Sequence, residues 1–238
     1  MSPLLVAEGL HKRFGAVTAA ADINLAFDDR TVVSLIGANG AGKTTFLNMV
    51  TGYVRPDRGQ IKFDGRPLVG LAPRAITRFG ISRSFQVPQL FPSLSLRENL
   101  LVAEGIAGAA KEADAMLDRF GLGPYADRPA GLLPEGIRKL LDVAMALVGR
   151  PKLLLLDEPT SGVAADEKFG IMDLVMGAAS QVVVLFVEHD MDIVARYATR
   201  VIAFYDGRVI ADAPPDEALR AAEVRRYVIG DEVRHAPA

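Results

Sequence analysis

One stretch constrains this chain more than any other: Gly37-Ala38-Asn39-Gly40-Ala41-Gly42-Lys43-Thr44-Thr45. It follows the apolar, β-branched run Thr31 to Ile36 and precedes the helical pattern Phe46 to Val50. Strand, glycine-rich turn, lysine, hydroxyl and helix, in that order, form a loop built to wrap a phosphate. Glycines let successive backbone N–H groups curl round an anion without Cβ clashes. The helix start adds its positive dipole end. Lys43 reaches the terminal phosphates, Thr44 is placed to ligate Mg²⁺, and Thr45 continues the helix start.

The 238 residues suffice for one large α/β domain or a domain with a subdomain. A net charge of −2 makes no electrostatic case for nucleic acid. There are no cysteines, which excludes disulfides and thiolate metal sites. The stretch Met1 to Glu8 has no basic region before its apolar residues and does not read as a signal peptide. The apolar runs Leu153 to Leu156 and Val182 to Val187 fall far short of the ~20 residues a membrane span needs, so any membrane role is expected to come through a partner.

Leu4 to Leu10 reads as a strand, His11 to Gly15 as a turn, and Ala19 to Phe27 as a second strand that turns at Asp28-Asp29-Arg30. Phe14 is a candidate to stack on a purine or, alternatively, a turn aromatic packing on the sheet. Asp64-Gly65 and Asp206-Gly207 are hairpin-type turns. Ile81 to Phe85 is a short strand ending at Gln86, after which Pro88 and Pro92 keep the chain irregular. Ser95-Leu96-Arg97-Glu98 is a capping-box pattern opening a helix through about Ala103. A second helix is expected over Lys111 to Phe120 and a long one over Ile137 to Val148. The tail from Pro214 reads as helical, amphipathic and charged.

Leu153 to Leu156 reads as a strand buried on both faces and ending in Asp157 and Glu158. Ligands bind at the carboxyl ends of such strands. Val182 to Val187 is a second such strand, ending at Glu188-His189-Asp190. With the phosphate loop these residues form a set. Asp157 suits the water shell of Mg²⁺, being a hard oxygen ligand. Glu158 can polarise an attacking water, Gln86 can orient that water or contact the metal, and His189 can hydrogen-bond a terminal phosphate. A lone histidine after a strand is also an ordinary structural residue. The set points to phosphoryl transfer by positioning and charge stabilisation.

These residues, in this order, resemble the ATP-binding cassette ATPases of membrane transporters over nearly the whole chain. The resemblance implies a P-loop α/β ATPase core with a mixed sheet, an N-terminal antiparallel β layer and an inserted helical subdomain. Residues 1–86 and 147–238 would form the RecA-like core with its C-terminal helices, and 87–146 the helical subdomain. It implies ATP and Mg²⁺ as cofactors. Phe14 matches the adenine-stacking aromatic. Gly37, Asn39, Gly40, Ala41, Gly42, Lys43, Thr44 and Thr45 match Walker A. Gln86 matches the glutamine loop, and Leu153 to Glu158 match Walker B with Glu158 as the catalytic glutamate. Ser161-Gly162-Val163 to Asp166 looks like the dimer-contacting D-loop and His189 like the switch histidine. Thr44, Gln86 and Asp157 are the implied metal contacts.

Arg83-Ser84-Phe85-Gln86, Asn99 to Ala103 and the tail Val224 to Gly230 look like ATPases of branched-chain amino acid importers, with urea and short-amide importers close by. Lipopolysaccharide-export ATPases share a similar tail. The implied partners are integral membrane permease subunits, a second ATPase subunit that is a different chain, and indirectly a solute-binding protein, but no nucleic acid. The implied location is the cytoplasmic face of the cell membrane. An export-type or a non-transport, nucleotide-gated binding module is the alternative.

One departure matters. Where the family signature reads Leu-Ser-Gly-Gly-Gln, this chain has Leu133-Pro134-Glu135-Gly136-Ile137. Leu133 and Gly136 remain as nucleotide-facing residues. In the family this loop of one subunit covers the γ-phosphate bound to the other. Pro134 removes a hydroxyl and an N–H donor, and Glu135 sets a negative charge near an anion. Pro134 and Glu135 are equally good helix-start residues. The expectation is a heterodimer with one strong and one weak site.

Overall fold

The computed structural model describes residues 3–28, 31–107 and 112–230. They fall into two compact units, Met1–Leu71 with Val187–Ala238, and Ala72–Phe186. The expected turn at Asp29 and Arg30, the helix start at Lys111 and the first two residues lie outside the described residues.

In the first unit, β1 (Leu5–Phe14), β2 (Val17–Phe27), β4 (Arg58–Phe63) and β5 (Arg66–Pro67) form an antiparallel sheet in the order β2-β1-β4-β5. The expected turn at His11 to Gly15 is a correction: β1 continues through Phe14, pairing His11 with Ala21 and Phe14 with Val17, and turns at Gly15. Register shifts after Ala7, Leu10 and Lys12 break the two-residue alternation, which hides the second half of the strand from the sequence pattern. Lys12 Nζ and Arg13 N both bond the Asp57 carboxylate at 2.8 Å and tie that half down.

The same unit holds β3 (Val32–Ile36), followed by helix α1 (Lys43–Val50). β3 pairs in parallel with β9 (Arg200–Tyr205), which pairs antiparallel with β10 (Arg208–Ala213), so this sheet is mixed. The Asp64-Gly65 and Asp206-Gly207 turns have positive φ at both residues, as a two-residue hairpin requires. Phe46, on the first turn of α1, lies 6.2 Å from Phe27 and 6.0 Å from Phe204, and all three are fully buried. Burying one such side chain stabilises by roughly 1.5–3 kcal/mol, so this cluster anchors the helix that follows the glycine loop.

The second unit starts with α2 (Pro73–Arg78), which has proline in its first turn, and β6 (Ile81–Ser84). Between residues 87 and 146 the named elements are helices: α3 (Leu96–Ala107), α4 (Ala113–Arg119), two short 3₁₀ turns and the start of α5 (Glu135–Val148). The capping box forms as expected. Ser95 N donates to Glu98 Oε2 at 2.8 Å, and Glu98 N donates to Ser95 Oγ at 3.2 Å. β7 (Leu153–Asp157) runs parallel to β6, and α6 (Lys168–Ala178) leads to β8 (Val183–Val187). Every residue of β7 and β8 is buried, as strands covered on both faces require.

Back in the first unit, α7 (Met191–Tyr197) is capped by the Asp190 carboxylate, which accepts from Asp192 N. The tail holds two short helices, α8 (Pro215–Ala218) and α9 (Ala222–Val224), and a π-type turn over Arg225–Ile229. Tyr227 in that turn stacks on Tyr205 at 4.3 Å. Among the described residues no helix is long and apolar enough to cross a membrane.

Candidate functional site

In the first unit, β3 delivers the chain into the glycine loop. Gly37, Gly40 and Gly42 have φ of 149°, 82° and 111°. A Cβ on Gly37 would stand 2.4 Å from the Phe204 carbonyl oxygen, and one on Gly42 2.5 Å from that of Ala19. These two positions therefore exclude side chains by contact as well as by φ. Ala38, Asn39 and Gly40 form the exposed crown, while Ala41 and Gly42 are buried beneath it. Gly42 is the N-cap of α1, with no side-chain cap and no acidic residue in the first turn. Buried Lys43 donates from Nζ to the carbonyls of Gly37 at 2.6 Å and Ala38 at 3.1 Å. Thr44 is exposed and Thr45 half-buried at the helix start. Backbone amides, a helix N-terminus and an ammonium, with no acid nearby in sequence, make a cradle of the right chemistry for a polyphosphate.

Phe14 stands half exposed at the end of β1, and Lys12 Nζ lies 5.3 Å from its ring centroid. His189 is exposed just past β8, and its backbone N–H donates to Oε2 of the buried Glu188 at 3.2 Å.

In the second unit the carboxylates at the end of β7 are each engaged, one from β6 and one from the segment after it. Asp157 Oδ2 lies 2.5 Å from Arg83 Nη2, and both side chains are almost fully buried. The parallel β6–β7 register, which sets Ser84 beside Leu156, brings the two together. Gln86 Nε2 donates to Glu158 Oε2 at 2.8 Å. Glu158 has φ of 53°, a left-handed conformation uncommon for a residue with a side chain. The structure thus places Gln86 beside Glu158, at the end of the strand that carries Asp157. The Asp157 carboxylate is a hard oxygen donor, the kind Mg²⁺ takes in ones and twos alongside phosphate oxygens.

Two residues of α5 that the sequence reading did not single out join this group. Lys139 Nζ donates to the carbonyl oxygens of Glu158 at 2.9 Å and Gln86 at 3.2 Å. Asp142 accepts from the backbone N–H of Phe85 at 3.0 Å and of Gln89 at 3.1 Å. Burial pushes the Asp142 carboxyl up, while hydrogen bonds from Ser84, Phe85 and Gln89 and the nearby Lys139 pull it back. Arg83 also escaped notice as a site residue. The available signal was a lysine and an aspartate among the apolar residues of an amphipathic helix.

The loop 133–137 is also in this unit. Leu133 is buried, Pro134 is the N-cap of α5, and Glu135 is its first residue, so this helix starts two residues before the expected Ile137. Glu135 pairs with Arg138, one turn on. Its Cγ lies 3.5 Å from where a Cβ on Gly162 would stand. Gly136 is half-buried, and a Cβ there would meet the Ile171 Cδ1 at 3.3 Å.

Known proteins match this chain closely. The ABC transporter family model matches residues 20–161. The high-affinity branched-chain amino acid transport ATP-binding protein BraF of Pseudomonas aeruginosa is 35% identical, the alignment covering 96% of this chain and 98% of that protein. LivG of Salmonella typhimurium, named for the same transport, is 34% identical at the same coverage. Among solved structures, the ADP conformation of an ATP-binding cassette of an ABC transporter superposes with a TM-score of 0.87 at 28% identity, over 97% of this chain and 100% of that one. A nucleotide-free cassette from an ABC transporter gives 0.83 at 28% identity, over 96% of each.

Proposed function

Since the chain belongs to the ABC transporter family and is an ATPase, the ATP-binding subunit of such a transporter, we propose that it energises import of branched-chain amino acids or closely related small solutes. The observation that carries this reading is that BraF and LivG, both named for branched-chain amino acid transport, align with 96% of it. The Arg83 to Gln86 segment and the Val224 to Gly230 tail, read independently as features of that class, support it.

In this proposal residues 1–86 with 147–238 act as the ATPase core and 87–146 as a helical subdomain. Walker A amides and Lys43 hold the phosphates, and Phe14 stacks on the adenine. Thr44, Gln86 and Asp157 would hold Mg²⁺, which neutralises phosphate charge when bound. Glu158 takes a proton from the water that attacks the γ-phosphorus. The bond to the bridging oxygen breaks, ADP leaves with the electron pair, and His189 hydrogen-bonds the transferred phosphoryl group. The Gln86–Glu158 hydrogen bond supports this assignment, because it sets the carboxylate and the water-orienting amide side by side. Leu133 and Gly136 face the nucleotide of a second ATPase subunit, a different chain. Permease subunits carry the complex at the cytoplasmic face of the membrane, and a solute-binding protein acts through them.

A second reading, a nucleotide-gated module with little hydrolysis, is favoured by one observation, the Glu135 carboxylate at the head of α5. The Glu158→Gln variant tests the base and the pairing together. It is expected to bind ATP while its turnover falls about 100-fold or more, and light scattering in Mg-ATP is expected to leave it monomeric. Turnover near wild type refutes Glu158 as the base. A homodimer in Mg-ATP refutes the need for a different partner chain.

A further inference from the structure

We infer that Lys139 is a positioning residue for the hydrolytic step, holding the Glu158 backbone and the Gln86 loop in one fixed relation and tying both to the helix that begins at the 133–137 loop. The inference rests on the reading of Glu158 as the base and adds to it a buried residue that acts on its main chain.

The geometry is specific. Lys139 is 4% exposed. Taking an ammonium out of water costs several kcal/mol unless its hydrogens are satisfied. Here Nζ is directed at two main-chain oxygens, those of Glu158 and Gln86. These are the two residues whose side chains meet at 2.8 Å in front of it. Glu158 adopts φ of 53°, a conformation that strains a non-glycine residue and persists only where its surroundings enforce it. The bond from Lys139 to the Glu158 carbonyl is one such constraint, because it fixes the peptide plane that follows the strained residue.

The same face of α5 holds the other side of the loop. Asp142 lies one turn after Lys139 and accepts from the amides of Phe85 and Gln89, which flank Gln86. Segment 85–89 is therefore clasped at both ends by Asp142 and at Gln86 by Lys139. Glu135, in the first turn of the same helix, carries the departure from the family signature. The helix that starts at the 133–137 loop is thus the one that carries the bond to the carbonyl of Glu158.

The test uses the full-length chain, assembled with its partner subunits where turnover needs them. Lys139→Met removes both hydrogen bonds, and Lys139→Arg keeps a cation and donors. A fluorescent ATP analogue reads nucleotide affinity, steady-state hydrolysis reads kcat and KM, and melting temperature reads folding. Lys139→Met is expected to lower kcat about 10- to 100-fold, the cost of misplacing a reacting group by about 1 Å, while KM and nucleotide affinity stay within about twofold. Lys139→Arg is expected to recover most of the loss. If Lys139→Met does not fold, Lys139→Gln, which keeps an amide donor, carries the same test. Wild-type kcat in Lys139→Met overturns the inference, as does an equal loss of affinity and kcat that arginine does not rescue. Glu158→Gln is assayed in parallel. If it still turns over, the reading of the base fails and this inference with it; if it is inactive while Lys139→Met is active, this inference alone fails.

Discussion

Two loops in this chain run into the positive end of a helix, and they treat it in opposite ways. Ahead of α1 the residues are glycines with positive φ, the N-cap is Gly42, and the first turn holds no acid. Ahead of α5 the N-cap is Pro134, which has no N–H to offer, and the first turn supplies its own carboxylate from Glu135, paired with Arg138. Each helix N-terminus carries about half a positive charge. The difference lies in who supplies the anion. The first helix leaves its end open to an external phosphate and adds Lys43. The second carries its own carboxylate in the first turn, paired with Arg138 and with its Cγ beside Gly162. A phosphate-binding helix start is thus recognised as much by the acid it lacks as by the glycines it has.

The largest expected effect is on the open end. Lys43→Ala removes the cation that, in the proposed reading, makes charge-assisted hydrogen bonds to phosphate. Two such bonds are worth about 3 kcal/mol, so affinity for a fluorescent ATP analogue is expected to fall about 100-fold. Arg138→Ala, at the closed end, is expected to leave the same affinity within about twofold, since its partner is Glu135 rather than this chain's nucleotide. Equal losses in the two variants would break the comparison.

The second effect is on stability. Gly42→Ala places a Cβ 2.5 Å from a backbone oxygen at φ of 111°. Strain and overlap together are expected to lower unfolding free energy by about 3 kcal/mol, read from urea midpoints. Gly136→Ala meets the end of the Ile171 side chain at 3.3 Å and Glu167 Oε2 at 3.9 Å, from ordinary helical backbone. Alanine is favoured over glycine in a helix by about 1 kcal/mol, so this variant is expected to stay within about 1 kcal/mol of wild type. A comparable loss at Gly136 would mean that the 133–137 loop is as tightly constrained as the phosphate loop.

The open end was legible from the sequence because everything it needs is local. Strand, glycines, lysine and helix succeed one another, and each glycine is required by its own φ or by a close neighbour. The hairpin turns at Asp64-Gly65 and Asp206-Gly207 and the Ser95–Glu98 capping box are local in the same sense. What escaped the sequence acts across the chain. Arg83 reaches Asp157, and Lys139 and Asp142 act on the backbone of segments far away in sequence. No spacing rule marks a lysine whose ligands are main-chain oxygens. Helix α6 escaped for a different reason, since Gly170 and Gly177 dilute its pattern. The second half of β1 was hidden by its bulges.

The smallest expected effect sharpens the comparison most, because it converts the closed end towards the open one. Pro134→Ser with Glu135→Gly returns an N–H, a hydroxyl and an uncharged first turn to the head of α5. The helix loses its own anion, worth about 0.3–1 kcal/mol at a terminus, and up to about 1 kcal/mol of propensity at position 135, while serine regains part of this as an N-cap. The melting temperature is therefore expected to drop by only a few degrees. A lost anion-stabilising donor costs about 100-fold or more where it is fully engaged, so partial restoration in an assembled complex is expected to raise ATP turnover by about 3- to 10-fold. The gain is expected in kcat, with this chain's own nucleotide affinity unchanged, if the restored loop faces the partner's nucleotide as proposed. Unchanged turnover with a lowered melting temperature would mean that Pro134 and Glu135 serve only to start the helix, and the contrast between the two helix ends would then be one of stability alone.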